Sequence, residues 1–236
     1  MELKGARAIV LGGTSGIGLA VSKLLAEAGA EVTASSRSPE NLSQIDAIQG
    51  AKARAVDVLD RPALEQLFAE LAPFDILVNA ATGGARAIGP FLEMDLDGYQ
   101  QSFRKLWGYT NSVRLGAPHM SERGAICLVS GFPARKCPPG LIAVSSAGAA
   151  VEAFARGVAR ELAPRRINLV APGTIDTPMF PVEGEARSEL IKRTTGHLPV
   201  PRAGRADEVA EAILLTLRND YMTGATIDVD GGAVLP

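Results

Sequence analysis

The chain has 236 residues, 47% of them hydrophobic, with a formal net charge of −2 at pH 7. That length and apolar content suffice for one domain with a sizeable core, and the near-neutral charge argues against nucleic acid or an anionic membrane as partner. No unbroken apolar run of membrane-spanning length and no signal-peptide pattern occur, Cys127 and Cys137 form no framework, and His119 and His197 stand apart; a cytoplasmic protein with no metal site is expected.

In chain order, apolar runs alternate with helical patterns, which predicts a parallel sheet covered on both faces. Strands are predicted near 6–11, 31–35, 53–57, 75–80, 124–130, 166–171 and 225–229, and helices near 16–28, 61–71, 97–117, 143–162 and 206–218. No linker or internal repeat interrupts residues 1–236. The prediction is a single doubly wound Rossmann domain of class α/β.

The stretch Leu11-Gly-Gly-Thr-Ser-Gly-Ile-Gly18 lies between the first strand and the first helix. In that context it reads as a dinucleotide fingerprint. Gly12 permits the tight turn, Gly16 lets backbone approach a pyrophosphate, and Gly18 lets helix and strand pack. Phosphates would meet unpaired N–H groups at the helix N-terminus, with Thr14, Ser15 and Ile17 lining the same turn. A plain strand-to-helix turn is the alternative. At the end of the second strand, Ser36-Arg37 stands where an NAD enzyme places a carboxylate, and no acid occurs between Glu31 and Glu40. Arg37 therefore favours NADP(H) over NAD(H), since a guanidinium grips a 2′-phosphate; a solvated loop arginine is the alternative.

The spacing Gly12-x-x-x-Gly16-x-Gly18 resembles the short-chain dehydrogenase/reductase family, and later segments agree in order over nearly the whole chain. Leu11, where the family commonly has Thr, is a mild departure. The resemblance implies the strand order 3-2-1-4-5-6-7. It implies an adenine-edge contact at Asp57-Val58, although an Asp at a strand end is also a common turn former. It assigns Asn79 mainly to holding the sheet, with Ala80 replacing a second Asn. In Val170-Ala-Pro172-Gly173-Thr-Ile175-Asp-Thr177-Pro-Met179, it puts Pro172-Gly173, Ile175 and Thr177 beside the nicotinamide. A substrate lid is expected near 174–200, and pairing through the helices at 97–117 and 143–162 gives a homodimer or homotetramer.

Against that cofactor half, the family's catalytic Asn, Ser, Tyr and Lys are missing. Counting from Ala149-Ala-Val-Glu-Ala-Phe-Ala-Arg-Gly157 puts Val144 at the Tyr position and Gly148 at the Lys position. The Ser position falls on Gly131, and Lys105 stands at the Asn position. The vacated side chains predict a larger, drier pocket. Candidate substitutes are Ser130, one residue early, and Lys105, whose ammonium could extend into the space beside Gly148. Ser145 and Ser146 read as helix caps or substitutes, and Arg135-Lys136 as an anion clamp or a solvated pair. Three functions stay open: an NADP(H)-dependent oxidoreductase acting on a carbonyl, alcohol or enone small molecule, a silent NADP(H)-binding protein, and a non-redox enzyme using the enlarged pocket.

Overall fold

The computed structural model describes residues 1–82, 86–180 and 182–236. The alternation read from the sequence becomes β1 (Arg7–Leu11), α1 (Gly16–Glu27), β2 (Glu31–Ser36), α2 (Ser43–Asp46), β3 (Ala51–Ala55), α3 (Arg61–Leu71) and β4 (Phe74–Asn79) in the first half. The second half runs α4 (Leu96–Ser102), α5 (Arg104–Gly116), β5 (Met120–Val129), α6 (Pro133–Lys136), α7 (Ile142–Leu162), β6 (Arg166–Pro172), α8 (Gly184–Thr195), α9 (Ala206–Arg218) and β7 (Thr226–Val229). The seven strands form one sheet in the order β3-β2-β1-β4-β5-β6-β7, with every pair parallel.

Both faces of the sheet are buried, so its central strands carry continuous apolar runs rather than an alternating pattern. Ala8 and Val10 of β1 join a core with Val21 and Leu25 of α1 and Val209, Ile213 and Leu217 of α9. Ile9 and Leu11, pointing the other way, join Leu64 and Phe68 of α3, Val113 of α5 and Val151 and Ala155 of α7. An 18-residue window of α7 reaches a mean hydropathy of 1.2, enough by length and composition for a membrane span. Here that apolarity serves packing, since Val151 and Ala155 are fully buried against the sheet.

Local chemistry moved several boundaries. The helix predicted over 97–117 is two helices meeting at Phe103, because the Ser102 hydroxyl donates back to the Gly98 carbonyl while accepting from the Ala87 amide. Such back-bonding bends a helix. The third strand runs over 51–55 rather than 53–57: Asp57 accepts from the Leu59 amide at 2.9 Å, and that turn ends the strand early. Three helices, α2, α6 and α8, were not predicted, and Gly83-Gly84 lie outside the described residues.

Candidate active site

The C-terminal edge of the parallel sheet gathers the turn after β1, the tip of β2, the residues following β5 and the end of β6. In open α/β sheets this is where ligands bind. The turn after β1 is built for close approach. A Cβ on Gly12, whose φ is +74°, would lie 2.8 Å from the Ala81 amide nitrogen, and one on Gly18 would run into the Gly12 carbonyl oxygen. Gly16 sits at φ +49°, and a Cβ there would stand 3.4 Å from the Thr177 side chain. Thr14 is buried and Ile17 half-buried. Ser15 is the N-cap of α1 and is exposed, yet its side chain makes no capping hydrogen bond. The first turn of α1 therefore presents N–H groups and a free hydroxyl together, a cradle for an anion.

Beside it, the tip of β2 holds Ser35, whose Oγ is buried with no hydrogen-bond partner among the described residues. Ser36 Oγ accepts from the Ser38 amide, and Arg37 is exposed. Asp57 forms the turn noted above, and Val58 is buried, packed where a Cβ on Gly108 of α5 would meet it. Val58 belongs to the core beside α3 and α5. Asn79 donates to Ser112 Oγ and accepts from the Ala81 amide, while the Ala80 amide donates to the Leu11 carbonyl. These contacts hold the ends of β1 and β4 together. After β6, Gly173 packs against the Asp230 backbone, Ile175 is buried and bridges to Gly204, and Asp176 is held by Arg187 of α8. Arg187 also donates to the Thr177 carbonyl at 2.8 Å.

The residues following β5 differ from expectation. On α7, Val144, Gly148 and Glu152 are spaced four apart and so share a face. A Cβ on Gly148 would lie 3.0 Å from the Ala134 Cβ of α6. A side chain at 148 would therefore need Ala134 to give by a few tenths of an ångström. Lys105 donates to the Ser130 carbonyl at 2.9 Å. Ser130 Oγ donates to the Glu152 carboxylate, also at 2.9 Å. Glu152 is 4% exposed and has Arg135 and Arg156 nitrogens at 3.6 and 3.8 Å. Glu152 is thus the buried centre of a polar cluster whose arginines reach solvent. At Gly131 a Cβ would make only ordinary contact, 3.4 Å from Pro133.

Further side chains also depart from the sequence reading. Arg135 is paired with Asp228 of β7, and Lys136 donates to the Leu235 carbonyl, and both side chains are exposed at the surface. Ser145 and Ser146 do not cap α7: Ser145 Oγ is buried without a partner among the described residues, and Ser146 Oγ accepts from the Tyr99 hydroxyl. Tyr99 does not stand in at Val144, because Ser146 lies roughly 200° around the helix from it.

The Lys105 ammonium is held below the usual lysine range, at about 8. Desolvation is the main cause, the Arg86 charge adds to it, and Glu152 opposes both. Tyr109, one turn along α5, places its ring 5.5 Å from the Lys105 nitrogen and donates its hydroxyl to the Val129 carbonyl. Glu152 is the functional candidate that the sequence reading passed over. Its signal was available as the third member of the Val144–Gly148 row, whereas the approach of Arg86 and Ala134 depends on long-range packing.

A doubly wound parallel sheet whose first helix opens on a glycine cradle defines a Rossmann-type nucleotide-binding protein. Residues 12–234 match the family model described as enoyl-(acyl carrier protein) reductase. The chain is 32% identical over 244 residues to L-xylulose reductase of Bos taurus, covering 98% of both chains. It is 35% identical over 247 residues to galactitol 2-dehydrogenase of Rhizobium johnstonii, covering 98% of this chain and 96% of that one. A solved small-chain dehydrogenase in complex with NADPH superposes with a TM-score of 0.83 at 30% identity, covering 99% of this chain and all of the other. The chain belongs to the short-chain dehydrogenase/reductase family.

Proposed function

We propose that this protein is an NADP(H)-dependent oxidoreductase interconverting a carbonyl, or an enone, and its reduced product without a Tyr-Lys dyad. The observation that carries the oxidoreductase reading is the glycine cradle at the C-terminal sheet edge, where a Cβ on Gly12 or Gly18 would strike backbone. The dyad-less part rests on the sequence count that assigns the Tyr and Lys positions to Val144 and Gly148. The chain's residues fit a dinucleotide. The first turn of α1 and the Ser15 hydroxyl would take the pyrophosphate, and a Cβ would obstruct the cradle at Gly12. Ser36 and Arg37, with no carboxylate at the β2 tip, favour a 2′-phosphate. Pro172, Gly173, Ile175 and Thr177 line the nicotinamide end. When bound, the cofactor supplies or removes a hydride. The xylulose reductase and the galactitol dehydrogenase interconvert carbonyls and alcohols by their names, which supports the same substrate class here.

In this reading the segment 174–200, pinned through Arg187, is the lid of a domain spanning 1–236, and the working form is a homodimer or homotetramer. Two free cysteines, one of them exposed, fit a reducing compartment such as the cytoplasm.

Calorimetric titration with NADPH and NADH is the direct test. Arg37→Ala is expected to weaken NADPH by about 10-fold or more, the worth of one charge-assisted hydrogen bond, with little effect on NADH. Equal losses for both would remove the 2′-phosphate role. Tight NADPH binding with no turnover across a carbonyl panel would favour the silent-binder reading, which the close approach of Ala134 to Gly148 also suits.

The dyad-less reading has its own test. Val144→Tyr with Gly148→Lys is expected to gain nothing, because the lysine must displace Ala134 on a backbone of limited give. Adding Ala134→Gly is expected to raise carbonyl reduction by about 10²-fold, the usual worth of a general acid. A gain from the double variant alone would show that α6 yields.

A further inference from the structure

We propose that Lys105 carries the proton in this site and that Glu152, reaching it through Ser130, is its positioning residue. The proposal rests on the oxidoreductase reading above and adds the group that replaces the missing donor.

Geometry comes first. Lys105 lies in the first turn of α5, and its ammonium is tied to the carbonyl of Ser130, the first residue beyond β5. That residue stands at the same sheet edge as the glycine cradle and the end of β6. The Ser130 amide is held by the Val170 carbonyl and its hydroxyl by Glu152, so both ends of the residue are fixed. A buried carboxylate with a single neutral donor would be costly. Here it is compensated by Arg135 and Arg156, and with Lys105 and Ser130 the five residues form one network joining α5, the residue after β5, α6 and α7.

The charge balance suits proton transfer near neutral pH. Desolvation and Arg86 favour the free amine of Lys105, and Glu152 favours the ammonium. Tyr109 faces the same nitrogen with its ring, and its own hydroxyl is engaged by Val129 and held well above the ordinary tyrosine range by burial. It therefore gives up no proton in the working range. Ser130 already donates to Glu152 and acts as the connector. A lysine titrating near the working pH meets the requirement for a general acid or base.

In the reductive direction the substrate carbonyl carbon accepts a hydride from a reduced nicotinamide dinucleotide, the two-electron reductant. The carbonyl π bond breaks, and its electron pair stays on oxygen. That oxygen forms its O–H bond with a proton from Lys105 Nζ as the N–H bond breaks. The neutral amine then recovers a proton from water. Oxidation reverses each step, with Lys105 entering as the free amine.

The experiment uses the full chain with 13C-labelled lysine Cε, the Lys105 signal being identified by its loss in Lys105→Met. In the nucleotide-free protein Lys105 is expected to titrate near 8, and in Glu152→Gln at lower pH, because the carboxylate that favours the ammonium is gone. In turnover with NADPH and a carbonyl panel, the wild-type rate is expected to show an inflection near 8 that moves with Glu152→Gln. Lys105→Met is expected to lose about 10²-fold or more in kcat while calorimetry shows NADPH still bound. Lys105→Arg keeps the charge but has no accessible neutral form, and is expected to be as slow as Lys105→Met.

Titration above pH 10, insensitivity to Glu152→Gln, or a wild-type rate in Lys105→Arg would overturn the lysine's role while leaving the oxidoreductase reading intact. A wild type that binds NADPH yet turns over no carbonyl would overturn that reading and the proton role together.

Discussion

Gly18→Ala is expected to destabilise the protein by about 3 kcal/mol or more, the range of severe steric insertions, and to abolish nucleotide binding. The substitution places a methyl group against the Gly12 carbonyl oxygen, inside van der Waals contact, where both partners are backbone. Gly18 is buried in the first turn of α1, and its φ is not positive, so alanine is conformationally acceptable there. Helix propensity alone would even gain about 1 kcal/mol. Sterics must therefore overcome propensity, and the methyl can be relieved only by lifting α1 off β1. For a chain of this size, about 3 kcal/mol lowers Tm by roughly 6–12 °C.

Gly157→Ala is the matched control. Gly157 lies inside α7, its φ is not positive and nothing lies within 4 Å of its added Cβ. It is expected to stabilise by about 1 kcal/mol. Thermal denaturation of both variants, with and without NADPH, measures the contrast. Two small shifts of the same sign would mean that the cradle is not close-packed.

The second large effect concerns pH. Lys105 titrates at about 8 in the folded protein against an ordinary 10.5. Between those values the unfolded chain binds more protons, so stability from this group rises with pH. The penalty is complete below pH 8 and gone above pH 10.5, and its size is about 3 kcal/mol. Wild type alone would hide it. Burial pushes the Cys127 thiol up from 9.0 to about 12, and that group loses stability as pH rises over an overlapping range. The difference between wild type and Lys105→Met isolates the lysine. Urea denaturation at pH 7 and pH 10 is expected to show wild type gaining on the variant by about 2–3 kcal/mol. A difference that stays flat would place the ammonium in water.

The frame of the molecule was legible in the sequence for specific reasons. Ala8-Ile9-Val10 reads as a strand buried on both faces, and the two cores indeed divide those residues between them. Gly12 and Gly18 stand where a side chain would strike backbone, so their spacing is fixed by geometry that a sequence displays directly. The break at Phe103 was not legible, because Ser102 owes its second hydrogen bond to Ala87, fifteen positions away. The candidate site was half legible. Val144 and Gly148 could be counted, and so could Glu152 on the same row. That α6 lies close against Gly148, and that Lys105 turns to Ser130, depends on a four-residue helix held by Asp228 and Leu235 from the far end of the chain. No local pattern announces such a clasp.

The contact between Ala134 and Gly148 also constrains the order in which this site can change. A single step that adds a side chain at 148 meets α6 and loses stability before it gains chemistry, whereas a step that first shrinks residue 134 is nearly silent by itself. The two positions are therefore expected to be epistatic: on the dyad-less reading proposed above, a dyad is reached more easily when residue 134 changes first. On that same reading, while α6 stays clasped, point mutation is expected to alter the Lys105 cluster more readily than to build a dyad at 144 and 148.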